Sequence, residues 1–319
     1  MVQQNTEQGD YHLNKQCELP GPSGRRIPFN MTHEEKGEIF SNIDFRKAMS
    51  HAINREEMWE LVSRGLAEFD GEKSASPLQV DEADEIWKEL SVYDPDLANE
   101  LLDGIGLDQR NADGFRLTPD GEPLVVIIET VADWADAISE LEMVAEYWQA
   151  VGVDARLKTF DRTIFEERRE TNEQEVCCHG STTSGGVGFP VAEIVRPWIE
   201  VPTMYQATWG NLWYRWYVTN GEEGEEPPED VRKALEIYDE IKVTPDAAKQ
   251  IELFKEIKRL HAKNVWNIWT GPVWLPRCSF VVVKNNMNNV PPEFPYSWDY
   301  PSPAPTQTYL YYFDPPQEM

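Results

Sequence analysis

The chain has 319 residues, with 29 Lys and Arg against 57 Asp and Glu, giving a formal net charge of −28 and an isoelectric point of about 4.5. That shortage of cations argues against nucleic acid or an anionic lipid surface as the partner. With 40% apolar residues over this length there is material for one large or two ordinary cores without disulfides or metals.

The longest apolar stretches, Leu124 to Ile128 and Phe280 to Val283, are strand-sized, so no membrane-spanning helix is predicted. Met1 to Asp10 carries neither the basic nor the apolar part of a signal peptide. The four cysteines, Cys17, Cys177, Cys178 and Cys278, fit no zinc or Cys-x-x-Cys spacing and read as buried thiols. A single disulfide from Cys17 or Cys278 is the alternative. Cys177 and Cys178 are adjacent, so a strand there turns them to opposite faces.

In chain order, residues 1–41 are polar apart from Ile27 to Phe29. Phe45, Ala48, Met49 and Ala52 then fall on one helical stripe. A second helix follows, capped by Asn54 with Glu57 three residues on and stopped by Gly65. Residues 66–92 are acidic and irregular, with a short helix predicted over Ala83–Leu90. Asp94-Pro95 opens another helix that Gly104 should end. Asp113-Gly114 and Asp120-Gly121 mark turns. Leu124 to Thr130 reads as a buried strand, Asp136 to Gln149 as an amphipathic helix stopped by Gly152, and Val153 to Thr159 as a strand. That strand–helix–strand run predicts an α/β layer. Asp161 caps a further helix, and Glu175 to His179 reads as a strand leading into a Gly/Ser/Thr-rich loop. Two helices are predicted near Pro228–Ile241 and Asp246–Asn264, before an extended, aromatic end.

Few motifs carry chemistry. The loop at 180–188 lacks the Gly-Lys-Ser/Thr ending of a phosphate-binding loop, so no nucleotide or other cofactor is predicted. As a loop leaving the carboxyl end of a strand, it is still where α/β proteins place ligand contacts. Cys178 beside His179 lacks the further ligands a metal needs and a demonstrable base for a thiol nucleophile. The run Gln109 to Asp120 departs from a calcium loop at its first and last positions and reads as paired turns. Asn30-Met31-Thr32 is a formal glycosylation sequon. Eight of the twelve tryptophans follow residue 190. Trp209, Trp213 and Trp216 have helical spacing, which reads either as a packed helix face or as indoles lining a cleft.

Phe45 through Glu57, Phe-Arg-Lys-Ala-Met-Ser-His-Ala-Ile-Asn-Arg-Glu-Glu, resembles the helix pair of the family 5 extracellular solute-binding proteins, the oligopeptide and dipeptide receptors of ABC importers. Other segments agree in order: Phe29 to Thr32, like the strand before that pair; Tyr93 to Leu102; the double turn at Asp113–Arg116 and Pro119–Gly121; Ala145 to Val153; Trp213 through Pro228; and Asn288 to Pro291. The resemblance implies an α/β fold of the periplasmic-binding-protein type II kind, with solute enclosed between two lobes. On that reading residues 1–27 leave a first lobe, 28–268 form the second lobe, and 269–319 return to the first. The long N-terminal region and export signal of the family have no counterpart here, so the chain reads as the C-terminal part of a receptor, truncated or one half of a split gene.

The implied function is non-enzymatic: a periplasmic or extracellular component that binds an oligopeptide or oligosaccharide and delivers it to ABC permease subunits, with no direct insertion in the membrane. The expected ligand contacts are His179, Thr182, Thr183, Trp209 and Trp213. Peptide-binding members carry an aspartate where this chain reads His179 to Ser184, with no carboxylate until Glu193. A buried ammonium needs a charged partner, so the departure favours an oligosaccharide or other neutral solute. The alternatives are a secreted glycan-active hydrolase, supported only by the abundance of acids and tryptophans, and a receptor fragment without function.

Overall fold

In the computed structural model the described residues are 5–18, 25–63, 68–69, 80–178, 197–271, 273–274, 279–296 and 308–314. They begin with α1 (Thr6–Gly9), β1 (Tyr11–Glu18) and β2 (Arg26–Ile27), followed by α2 (Gly37–Ser41), α3 (Ile43–His51) and α4 (Arg55–Ser63). Next come β3 (Glu68–Phe69), α5 (Asp81–Ser91), α6 (Pro95–Gly104), β4 (Val125–Val131), α7 (Ala135–Ala150), β5 (Asp154–Phe160), α8 (Arg162–Thr171) and β6 (Val176–Cys177). The remainder is α9 (Asn211–Val218), α10 (Glu229–Val243), α11 (Ala247–Asn264), β7 (Ile268–Trp269), β8 (Val273–Trp274), β9 (Ser279–Lys284), β10 (Met287–Asn288), β11 (Glu293–Tyr296) and β12 (Tyr312–Phe313).

The local signals act as the sequence predicts. Asn54 Oδ1 accepts from the Glu57 amide at 3.3 Å and starts α4. Asp94 Oδ1 accepts from the Leu97 amide at 2.9 Å, with Pro95 in the first turn of α6. Asp161 caps α8 in the same way through the Thr163 amide at 2.8 Å. Gly104 is still helical, and it is Gly106, at φ 85°, that takes the left-handed turn after α6. Gly152 sits at φ 90° with its Cα against the Arg110 guanidinium, so a side chain there meets both strain and a clash. Gly65 lies outside the described residues.

β4, α7 and β5 form the expected parallel unit, with Val125 to Val131 paired in register to Asp154 to Phe160. β6 adds on the other side of β4, giving the order β5-β4-β6. Since successive crossovers run to opposite edges, their helices lie on opposite faces. On one face Val126, Ile128, Val176 and Cys178 pack with Leu141, Val144 and Trp148 of α7 in the main core. On the other, Val131 and Cys177 pack with Phe165 of α8. The two adjacent cysteines therefore face opposite layers, and both are free thiols. Ile127, one residue ahead of the β6 pairing, donates its amide to Glu175 Oε2 at 2.8 Å, and Lys36 Nζ balances that carboxylate at 2.5 Å.

The helical layer is anchored on Trp148, which stacks on Phe29 (5.4 Å, 27°) and donates its indole N–H to the Met49 carbonyl at 2.9 Å. Phe29 also meets Phe40 and Phe45, each at 5.4 Å. Truncating an aromatic so enclosed costs about 3–5 kcal/mol. Of the segment expected as a strand, Phe29 makes a single antiparallel bridge to Val176 and the Asn30 amide donates to the Glu175 carbonyl at 2.8 Å, after which Met31 and Thr32 turn. Asn30 Oδ1 accepts from the Thr32 amide at 3.1 Å and hydroxyl at 2.8 Å, which folds the chain back on itself. Asn30, the first residue of the sequon, is fully buried in the fold. In the double turn, Asn111 Oδ1 accepts from the Asp113 and Phe115 amides at 3.0 and 2.9 Å.

A separate three-stranded sheet joins the two chain regions at either end of this core. β1 runs antiparallel to β9 (Leu13 opposite Val282) and parallel to β11. Between that sheet and the core the chain passes twice, as the short antiparallel pair β2–β7, with Arg26 opposite Trp269 and Ile27 opposite Ile268.

Candidate functional site

The strand order β5-β4-β6 has a switch point between β4 and β6. The carboxyl ends of neighbouring strands at such a switch point are where α/β proteins hold ligands. The expected contacts His179, Thr182 and Thr183 follow β6 directly at that edge in sequence and lie outside the described residues. Around the edge, the described residues form three buried ionic groups.

The first faces α8. Glu129, in the middle of an apolar strand, receives a two-pronged ion pair from Arg168: Nε to Oε2 at 3.0 Å and Nη2 to Oε1 at 2.8 Å. Burial raises the Glu129 pKa against the pull of Arg168. Beside it the Thr130 hydroxyl donates to the Cys178 carbonyl at 3.0 Å, tying the ends of β4 and β6 together. Burial pushes the Cys177 thiol up to about 12, and Cys178 well above its usual value. Neither thiol is a nucleophile at neutral pH.

The second group sits where the chain crosses. Arg25 Nε donates to Glu140 Oε2 at 2.9 Å, and the Thr270 hydroxyl donates to Glu140 Oε1. The Arg25 amide donates to Thr270 Oγ1 at 2.6 Å, and the Thr270 amide returns a bond to the Arg25 carbonyl at 3.0 Å. All three residues are at least 96% buried. Arg55 adds Nε and Nη2 bonds to the Trp269 carbonyl at 2.8 and 2.6 Å, fastening the second crossing to the start of α4.

The third group joins α11 to residues 197–209. Glu200 lies 2.5 Å from His261 Nδ1 and 3.8 Å from Lys258 Nζ. Burial alone would raise its pKa, but the charges of His261 and Lys258 outweigh that and hold it at about 2. Arg26 reaches the same segment through the Gln206 carbonyl at 3.2 Å and the Trp198 carbonyl at 3.5 Å.

Trp209 and Trp213 are placed in the core. Trp209 is fully buried, stacks on Trp266 (5.0 Å, 15°) and donates its indole N–H to the Trp198 carbonyl at 3.4 Å. Trp213, 6% exposed, meets its edge at 5.9 Å. Their spacing was helical, yet α9 begins at Asn211, so Trp209 belongs to the preceding turn. The ionic groups were missed in the sequence. The only traces are a lone acid inside the apolar run Leu124 to Val131 and the Arg25-Arg26 pair in a chain poor in cations. Among the described residues no group of three or more His, Cys, Asp or Glu is arranged to hold a metal, and no helix is long and apolar enough to cross a membrane.

A search of curated protein sequences finds no match. Among solved structures, an oligopeptide-binding protein OppA is 28% identical, with a TM-score of 0.72 over 98% of this chain and 50% of its own. A mannohexaose-bound periplasmic oligopeptide-binding protein from Thermotoga maritima is 20% identical, with a TM-score of 0.57 over 90% of this chain and 49% of its own. The periplasmic binding protein MelB from Agrobacterium fabrum, in complex with stachyose, is 16% identical, with a TM-score of 0.63 over 91% and 46%. The latter two share the fold. The chain thus spans about half the length of the structures it matches. These are binding proteins, and the fold is the periplasmic-binding-protein type II kind that the sequence resemblance implied. Residues 3–191, more than half of the chain, match the description "Bacterial extracellular solute-binding proteins, family 5 Middle". With the fold in agreement over nearly its whole length, the chain belongs to the family 5 extracellular solute-binding proteins.

Proposed function

We propose that this chain supplies one lobe, residues 28–268, of a solute-binding receptor of an ABC importer, with 1–27 and 269–319 belonging to the other lobe. The remaining length found in its structural relatives would then come from further polypeptide. The observation that carries the reading is the switch point at the carboxyl ends of β4 and β6, set beside the double crossing β2–β7. A ligand shelf next to two strands that join two bodies is what a closing cleft requires. Exposed Val282, Tyr309, Leu310, Tyr312 and Phe313, all in the region beyond the second crossing, are further support, because a second body would cover them.

In this reading the receptor is not an enzyme. Solute contacting both lobes draws an open–closed equilibrium toward the closed form, which then docks on the permease outside the cell membrane. His179, Thr182 and Thr183 touch solute. Trp209 and Trp213, buried as they are, act from behind by fixing the segment that follows the loop. The relatives solved with mannohexaose and stachyose favour an oligosaccharide, as does the want of a carboxylate between His179 and Ser184. Calorimetric titration of the chain with mannohexaose, stachyose and a short peptide tests this. Half a cleft should bind the sugars very weakly and the peptide more weakly still. A micromolar dissociation constant for the chain alone contradicts the two-lobe reading.

A further inference from the structure

Where α8, β6 and α9 meet, four fully buried side-chain atoms have no hydrogen-bond partner: Arg169 Nε, Gln174 Oε1, Thr208 Oγ1 and Asn211 Oδ1. Each of these residues is at most 1% exposed. They are held in two pairs that the short stretch Thr208–Asn211 brings together: Gln174 donates Nε2 to the Thr208 carbonyl at 3.3 Å, and Asn211 donates Nδ2 to the Arg169 carbonyl. Native folds leave few such atoms unpaired, so four on two bonded pairs of neighbouring segments call for a ligand.

The chemistry selects that ligand. Turning either amide over would set its oxygen against a carbonyl, so both amide oxygens are fixed as acceptors facing the site. The Arg169 guanidinium is held by Glu166 at 2.6 Å and lies over the Phe165 and Tyr205 rings at 5.6 and 5.3 Å, which leaves Nε as a fixed donor. The Thr208 hydroxyl can donate or accept. A metal cation is disfavoured by Arg169 itself and by the like charge of Arg26 close to it. An anion is disfavoured by the two amide oxygens. What fits is a small neutral molecule that accepts twice and donates twice.

We propose that this junction holds a structural water, accepting from Arg169 Nε and the Thr208 hydroxyl and donating to Gln174 Oε1 and Asn211 Oδ1. It joins the end of α8, the approach to β6 and the start of α9, three segments with no strand pairing among them. Buried waters with three or four such partners are part of a fold and costly to lose. The inference does not depend on the proposed transport role.

A crystal structure of the full chain at a resolution that places waters tests it. The expected result is a water peak within hydrogen-bond distance of Arg169 Nε and of at least one amide oxygen. No peak, or density of an ion, overturns the proposal. Thermal unfolding of Thr208→Val gives a second readout whose sign differs between the cases. If the hydroxyl were merely unpaired, an apolar side chain of the same shape would leave Tm unchanged or raise it. If the hydroxyl holds the water, Tm falls. An unchanged or raised Tm overturns the proposal.

Discussion

The buried pair at the double crossing gives the sharpest energetic prediction. Arg25 and Glu140 are 4% and 3% exposed at the side chain and 2.9 Å apart. Glu140→Leu removes the carboxylate but leaves the Arg25 charge enclosed, along with the Thr270 hydroxyl that had donated to it. Breaking a buried pair from one side costs about 3–5 kcal/mol. The lost Thr270 bond adds about 1 kcal/mol. Arg25→Met combined with Glu140→Leu leaves no charge behind, so the double variant should be more stable than Glu140→Leu alone. A contrasting control is Lys249–Glu240, which is closer at 2.6 Å but 56% and 48% exposed. Glu240→Leu should cost about 1 kcal/mol or less. Equilibrium urea unfolding of the parent, Arg25→Met, Glu140→Leu, their double variant and Glu240→Leu measures these differences. A Glu140→Leu cost as small as that of the exposed control, or a double variant that equals the sum of its singles, refutes the reasoning.

Two further outcomes follow from the same burial. The Glu200 carboxyl is held at about 2 in the folded chain, against an ordinary value of 4.5. Its pKa is therefore depressed on folding, so its stabilisation is complete above about pH 4.5 and is lost as pH falls toward 2; by linkage it amounts to about 3 kcal/mol at neutral pH. Glu200→Gln should lose that amount near pH 7 by urea unfolding, and the gap to the parent should close below about pH 4. A gap that stays constant with pH counts against the His261–Lys258 account. Cys177 and Cys178, with thiols pushed up by burial, should resist a thiol reagent in the native chain and react once it is unfolded. Peptide mapping that finds either one modified under native conditions contradicts their assigned burial.

How much of this was legible in the sequence depended on the range of the interaction. Caps act within three or four residues, so Asn54, Asp94 and Asp161 could be read directly. So could the unit of Val125–Val131, Ala135–Ala150 and Asp154–Phe160, where a short unbroken apolar run is followed by an amphipathic helical pattern and then by an alternating stretch. The opposite facing of Cys177 and Cys178 followed from strand geometry alone. Tyr11–Glu18 was not legible. Its sequence is polar, and it is a strand because Val281 to Val283, far along the chain, lie beside it. The strand expected at Phe29–Thr32 shrinks to one bridge, Phe29 to Val176, because the Asn30 side chain bonds locally to Thr32, and local polar bonds compete with strand pairing. The site divided in the same way. Its proposed position at the end of β6 rests on α/β topology. The pairings Arg25–Glu140, Arg168–Glu129 and Glu200–His261 join residues 39 to 115 positions apart, and no spacing rule announces them.

The central claim is that solute is taken at the carboxyl ends of β4 and β6. Backbone-amide NMR of the chain titrated with mannohexaose, at concentrations high enough for weak binding, tests it directly. Saturable shifts concentrated at Val131 to Trp134 and from Cys178 to Ser184 are predicted. Shifts gathered instead in the groove between the start of α4 and the end of α5, around Asn54, Glu85 and Tyr93, would contradict it.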